Sequence, residues 1–201
     1  MGGKLILFCS YAPGAGKTCE MLRYAECLEK NGHNCFPLYL DIKGRDYEKD
    51  NLFFKRYLAE KGSRRNAESS EWIILDELGL RNEKTKKYIC QEADEFLNKG
   101  TNVLSCCNMQ VFENYSILFR DILKIRNNRV ISEKYLDIAE KIYFIDRNPE
   151  RIVEEYKAGC LFRNNNHILE KYMDDNLLNK YRQKVISNLM AQFSEKVEVI
   201  S

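Results

Sequence analysis

Lys17 and Thr18 follow two glycines, Gly14 and Gly16, in the string LILFCSYAPGAGKT, and these residue types at this spacing suit a polyphosphate. Gly14 and Gly16 permit backbone angles that turn successive N–H groups inward, and a helix beginning behind them adds partial positive charge. The Lys17 ammonium would reach the outer phosphates, while Pro13 and Ala15 complete the cradle. The Thr18 hydroxyl holds the position that coordinates magnesium in a Walker A loop. Tyr11 replaces the glycine that opens the GxxxxGK[ST] pattern, which predicts a tighter or aromatic-lined loop entrance. A glycine turn capping an ordinary helix would account for the glycines, but not for Lys17, Thr18 and the apolar strand before them.

A second candidate group is WIILDE, an apolar run ending in two carboxylates, as a Walker B segment should. Asp76 could hold magnesium through water, with a solvated strand end as the plain alternative. Glu77 is the candidate to orient or deprotonate an attacking water, although an acidic residue opening a loop is also common. In SCCNMQ, the residues Ser105, Asn108 and Gln110 would lie where polar side chains can meet a terminal phosphate. Asp41 could serve as base toward a substrate hydroxyl, but Asp-x-x-Gly is equally a turn.

These groups need a scaffold that brings several strand ends together. Short apolar runs alternate with longer amphipathic ones, the signature of an α/β parallel sheet covered by helices. Strands are expected at Lys4–Cys9, Phe36–Leu40, Trp72–Leu75, Asn102–Cys106 and Lys141–Ile145. Met21, Leu22, Ala25 and Leu28 define the sheet-facing side of the first helix, which Asn31-Gly32 stops. A helix is expected at Leu52–Lys61, and GSRRNAESSE reads as a loop. Pro149 fits the first turn of another helix, Asn164-Asn165-Asn166 interrupts it, and a final helical segment spans Ile168–Phe193. The division is a domain at 1–162 and a helical extension at 163–201.

Composition narrows the partners. With 32 basic and 30 acidic residues, the net charge of +2 argues against nucleic acid or an anionic membrane as a bulk partner. The eight cysteines show no CxxC or Cys/His ligand spacing and no signal peptide precedes them, so a reducing, cytoplasmic setting is expected. Cys9, Cys27, Cys35 and Cys90 read as small core residues, and Cys106 and Cys107 should face opposite sides of a strand. The longest apolar run, Leu5 to Cys9, is far short of the ~20 residues that span a bilayer, so no membrane insertion is expected.

The start, GKLILFCSYAPGAGKTCEML, resembles the N-terminal cytosolic domain of KdpD-type potassium and osmotic sensor histidine kinases. LYLDIKGR resembles that family's second-strand segment at Asp41, Gly44 and Arg45, and LDEL resembles its Walker B. SCCNMQVFENY resembles its TTLNVQHLESL, retaining Asn108, Gln110 and Glu113, and DIAEKIYFIDRNPERIVEEYKAGCLF resembles a later stretch. Departures are Lys43 and Val111 in place of family histidines, and Gly79-Leu80-Arg81-Asn82 in place of AHTN.

The resemblance covers Gly3 to Phe162 and implies a RecA-like additional-strand P-loop NTPase fold, a five-stranded parallel sheet of order 5-1-4-3-2 with a helical tail. Pro37 would then lie at the sheet edge, and the strand ending at Asn108 between the two Walker strands. The implied function is an ATP- and Mg2+-binding regulatory domain acting through nucleotide-dependent contacts with a histidine kinase, another signalling protein or a second copy. A small-molecule kinase or a plain ATPase is the alternative. Arg45, Arg120, Arg126 and Arg129 are equal candidates for an arginine finger, so slow hydrolysis is expected. No segment for autophosphorylation is recognised, and no [NT]KxD motif decides between ATP and GTP.

Overall fold

A computed structural model describes residues 2–41, 51–60, 63–158 and 174–201. The expectations for Lys43, Gly44, Arg45, the Asn164-Asn165-Asn166 break and Ile168, Leu169 and Tyr172 lie outside those residues.

Strand β1, Leu5–Ser10, is buried along its whole length, as an apolar run covered on both faces of a parallel sheet must be. Helix α1, Lys17–Lys30, ends at Asn31, where Gly32 takes φ +89°, the left-handed step that glycine accepts without strain. Met21, Leu22 and Ala25 are buried on it. Cys27 is exposed rather than core, because two positions beyond Ala25 lie about 200° around the helix.

There follow β2 (Cys35–Tyr39), α2 (Leu52–Glu60), α3 (Arg64–Glu68), β3 (Trp72–Leu75), α4 (Ile89–Asn98) and β4 (Asn102–Asn108). After a 3-10 turn at Met109–Val111 come α5 (Glu113–Leu123), α6 (Lys134–Ile138), β5 (Ala139–Ile145) and α7 (Pro149–Lys157). The chain closes with α8 (Asp175–Phe193) and β6 (Val197–Ile200).

The strands form one six-stranded sheet, all parallel, in the order β2-β3-β4-β1-β5-β6. The class and the 5-1-4-3-2 order of the first five strands agree with expectation, and β2, which carries Pro37, is an edge where a missing N–H costs no ladder bond on the outer side. The five-stranded count is corrected. Val197–Ile200 returns from the tail to pair with β5, from Ile142↔Val197 to Ile145↔Ile200. The alternation Val-Glu-Val-Ile suits a strand that is only half covered.

A second correction concerns GSRRNAESSE, which contains the short helix α3 rather than only loop. Ala67 is its buried residue, and the Arg64 guanidinium lies over the Phe96 ring, 5.7 Å from the centroid. Five residues are too few to display a helical period.

Alternation along the strands separates the two faces. Phe8 stacks on Tyr143 and meets Tyr24 of α1 edge-on, with centroids 5.0 and 5.7 Å apart. The α1 face therefore also receives Cys106, the register partner of Phe8. Cys9 and Cys107 point to the other face, with sulfurs 3.7 Å apart, so Cys106 and Cys107 do face opposite sides.

Helix α8 packs on α5 and α7 and leads into β6. Its buried residues Leu178, Tyr181, Val185 and Leu189 recur at helical spacing, and Tyr181 meets Phe119 edge-on at 5.1 Å. Leu178 and Tyr181 thus join the main core. Among the described residues no helix is long and apolar enough to cross a membrane.

Candidate functional site

The C-terminal ends of the parallel strands open on one side of the sheet, the place where α/β folds gather functional groups. The loop from Tyr11 to Gly16 leaves β1 there and enters α1. Gly14 and Gly16 have φ of +82° and +97°. A Cβ on Gly16 would meet no atom within 4 Å, so the backbone angle, rather than space, demands glycine there. Gly16 is the N-cap of α1 and supplies no side-chain cap; the first turn of the helix presents its N–H groups toward the loop.

Lys17 and Thr18 are both 5% exposed. The Lys17 ammonium donates to Asn108 Oδ1 at 2.9 Å and lies 3.6 Å from Glu77 Oε1. The Thr18 hydroxyl donates to Asp76 Oδ1 at 3.0 Å. Asp76 is fully buried, and its other oxygen accepts the Asp41 backbone N–H at 3.1 Å. Glu77 is held at φ +55°, a left-handed conformation unfavourable for a residue with a Cβ, and the next N–H, on Leu78, bonds to the Cys106 carbonyl at 2.8 Å. That unusual backbone turns the Glu77 carboxylate toward Lys17.

The structure brings together Lys17, Thr18, Asp76, Glu77 and Asn108 from α1, β3 and β4. Ser105 is not among them: its hydroxyl donates to the Leu75 carbonyl and ties β4 to β3. Gln110 is buried on the 3-10 turn just beyond Asn108, and its backbone carbonyl accepts from the Asn127 side-chain amide. Asp41 is half-buried and lines a cavity of about 270 Å³ with Tyr39, Tyr57 and Arg64. Arg120 pairs with Asp121 on the surface.

Three residues at the site were not singled out by sequence. Cys106 lies against Asp76 Oδ1 and 3.7 Å from the Thr18 hydroxyl, and its ligand atom falls with those of Asp76 and Glu77 within 4.8 Å. Burial, with the Asp76 carboxylate beside it, pushes the Cys106 thiol well up, so it stays protonated and donates to Asp76. The Arg147 guanidinium donates to the Gly14 carbonyl at 2.9 Å and pairs with Glu155. The Tyr156 hydroxyl donates to the Pro13 carbonyl at 2.9 Å. Position after β5, at a strand's C-terminal end, was the available signal for Arg147.

Tyr11 does not line an entrance. It is fully buried, and its hydroxyl donates to the Arg147 carbonyl; burial raises its pKa and keeps the phenol neutral. Next to it, Asp146 forms a two-pronged ion pair with Arg182 of α8. Two departures from the family pattern also meet in space, since a Cβ on Gly79 would come within 3.1 Å of Val111.

This arrangement has the donors for an anion and hard oxygen ligands for a cation side by side. Thr18 and Asp76 converge on one point and could share a divalent ion, while Cys106 adds a softer donor that magnesium does not favour.

The family model for the osmosensitive K+ channel His kinase sensor domain, KdpD, matches residues 64–192. The sensor protein KdpD of Clostridium acetobutylicum is 26% identical over 181 residues, an alignment covering 80% of this chain and 20% of that protein. A putative sensor protein KdpD of a Synechocystis species is 26% identical over 177 residues, covering 80% of this chain and 47% of that protein. For the sensor protein KdpD of Escherichia coli the figures are 24% over 178 residues, 80% and 20%. The chain thus spans between a fifth and a half of the length of these relatives. The matched model runs from α3 to α8 and does not include the loop before α1.

Proposed function

Since the chain belongs to the family of osmosensitive K+ channel His kinase sensor domains, we propose that it is an ATP-binding regulatory domain of a potassium or osmotic signalling system. Its fold is read as a P-loop NTPase of the RecA-like additional-strand type, a reading supported by β4 lying between β1 and β3. The observation that carries the proposal is the convergence of Lys17 on Asn108 and of Thr18 on Asp76 at the mouth of a glycine loop.

In this reading the backbone N–H groups of Gly14 to Thr18 donate to the phosphate oxygens and Lys17 exchanges its bond to Asn108 for one to a terminal phosphate oxygen. Thr18 and Asp76 would hold a magnesium ion, which would supply positive charge beside the phosphates. Glu77 orients water. Asn108, freed from Lys17, reports the presence of the terminal phosphate to β4. Bound nucleotide can signal only if it favours one arrangement of an attached element, and contacts with a histidine kinase, another signalling protein or a second copy are the output. Hydrolysis is slow in this reading, because no one arginine is assigned as a finger.

A thermal-shift titration with MgATP tests the reading. Stabilisation of the wild type that is lost in Lys17→Ala supports it, and identical behaviour of the two proteins removes it. A small-molecule kinase remains the second reading, favoured by the cavity beside Asp41; ADP production that depends on an added hydroxyl compound would select it.

A further inference from the structure

The groups able to meet a terminal phosphate all lie on one flank of the glycine loop, where β4 and β3 follow β1. A linear phosphate chain laid over the loop with its end there must lead its other end to the opposite flank, toward β5. On that flank a cleft of about 680 Å³ runs between the loop after β5 and the first turns of α8, a size within the ~300–1,000 Å³ of small-molecule sites. Arg147 joins the two places, because its guanidinium bonds to the Gly14 carbonyl and also lines the cleft.

The lining is polar without being a second anion site. Asp146, Glu150 and Asp175 balance Arg147, Arg151 and Arg182, whereas a phosphate site carries an excess of positive charge. Asn148, Asn176 and Asn179 add amides, which both donate and accept. Such a surface suits an uncharged group rich in donors and acceptors, with flat guanidinium planes available for stacking on a ring.

We infer that this cleft receives the nucleoside end of the nucleotide, its base and ribose, so that α8 forms one wall of the nucleotide site. The inference rests on the phosphate-loop reading above and goes beyond it in assigning the subsite and in making the C-terminal helix a ligand-contacting element. Asn176 and Asn179 from α8 face the base across the cleft from the loop after β5. The bound nucleotide then bridges the glycine loop and α8, and reinforces the existing Asp146–Arg182 pair between them.

The test compares MgATP with magnesium tripolyphosphate, which carries the phosphates without a nucleoside, by calorimetric titration of the full chain. The expected result is that MgATP binds at least about tenfold more tightly, and that Asn179→Phe, filling the cleft, lowers ATP binding to the tripolyphosphate level while tripolyphosphate binding is unchanged. Because a substitution on α8 is able to disturb its packing, 8-azido-ATP labelling of the wild type provides a second readout, with labelled peptides expected within 146–151 or 175–182. Equal affinity for the two ligands, full ATP preference in Asn179→Phe, or labels confined to other peptides overturns the nucleoside subsite and leaves the phosphate loop standing. Binding of neither ligand overturns both.

Discussion

The two flanks of the glycine loop are built from different kinds of bond. Toward β3 and β4, side chain meets side chain: Lys17 with Asn108 and Glu77, Thr18 with Asp76, and Cys106 with both Thr18 and Asp76. Toward β5, side chains hold the loop's own backbone: Tyr156 on the Pro13 carbonyl, Arg147 on the Gly14 carbonyl, and Tyr11 on the Arg147 carbonyl. Those bonds set the loop's shape and tie it, through Asp146 and Arg182, to α8. Chemistry and scaffolding are thereby separated across a single turn of chain.

Lys17→Ala is the sharpest way to test the first flank. On the proposed reading the ammonium faces a multiply charged phosphate chain, so the variant should bind MgATP at least about a hundredfold more weakly, measured by calorimetry. Loss of binding with circular dichroism unchanged locates the defect in the site.

Asp76→Asn and Glu77→Gln should separate within that flank. Asp76→Asn is expected to abolish the dependence of binding on magnesium, while Glu77→Gln keeps binding and lowers ADP release by about tenfold or more. Equal turnover in the two variants and the wild type would remove both assignments.

On the scaffold flank, Asp146→Asn leaves Arg182 facing a neutral amide in a part-buried pair, and about 1–3 kcal/mol of stability should be lost. Hydrogen exchange should rise in α8 before it rises in β1. A uniform rise would show that α8 and the loop are one cooperative unit rather than two joined pieces.

Tyr11→Phe removes a single hydrogen bond in the same region while keeping the ring, and should cost about 1 kcal/mol, read as a lower urea midpoint. Cys106→Ser belongs to the chemical flank and should be the mildest change. It keeps a donor toward Asp76, so stability shifts by less than about 1 kcal/mol, while competition of cadmium or zinc with magnesium weakens, because the soft ligand is gone.

Much of the chemical flank was legible because its residues are short-range motifs. Gly14, Gly16, Lys17 and Thr18 are one turn of chain, Asp76 and Glu77 end an apolar strand, and both patterns carry their meaning in local spacing. Asn108 was legible only as a polar strand end, since its partner Lys17 lies 91 positions away. The place of Cys106 at the site escaped notice because a cysteine in an apolar run has the same appearance whether it packs a core or faces a carboxylate.

The sequence by itself determined the α/β class, the glycine loop with its Lys17 and Thr18, and the strands around it, because burial on both faces of a parallel sheet imposes continuous apolar runs and a left-handed turn demands glycine. Tertiary structure decided the rest. Register put Cys106, rather than Cys107, on the α1 face, and Val197–Ile200, beyond the expected tail helix, returned to β5 as part of the sheet. Tyr11, read as a departure from a motif, became an anchor for Arg147. In each case the deciding partner lies more than 50 positions away in the chain, where local propensity and spacing carry no information and only packing against the completed sheet selects the arrangement.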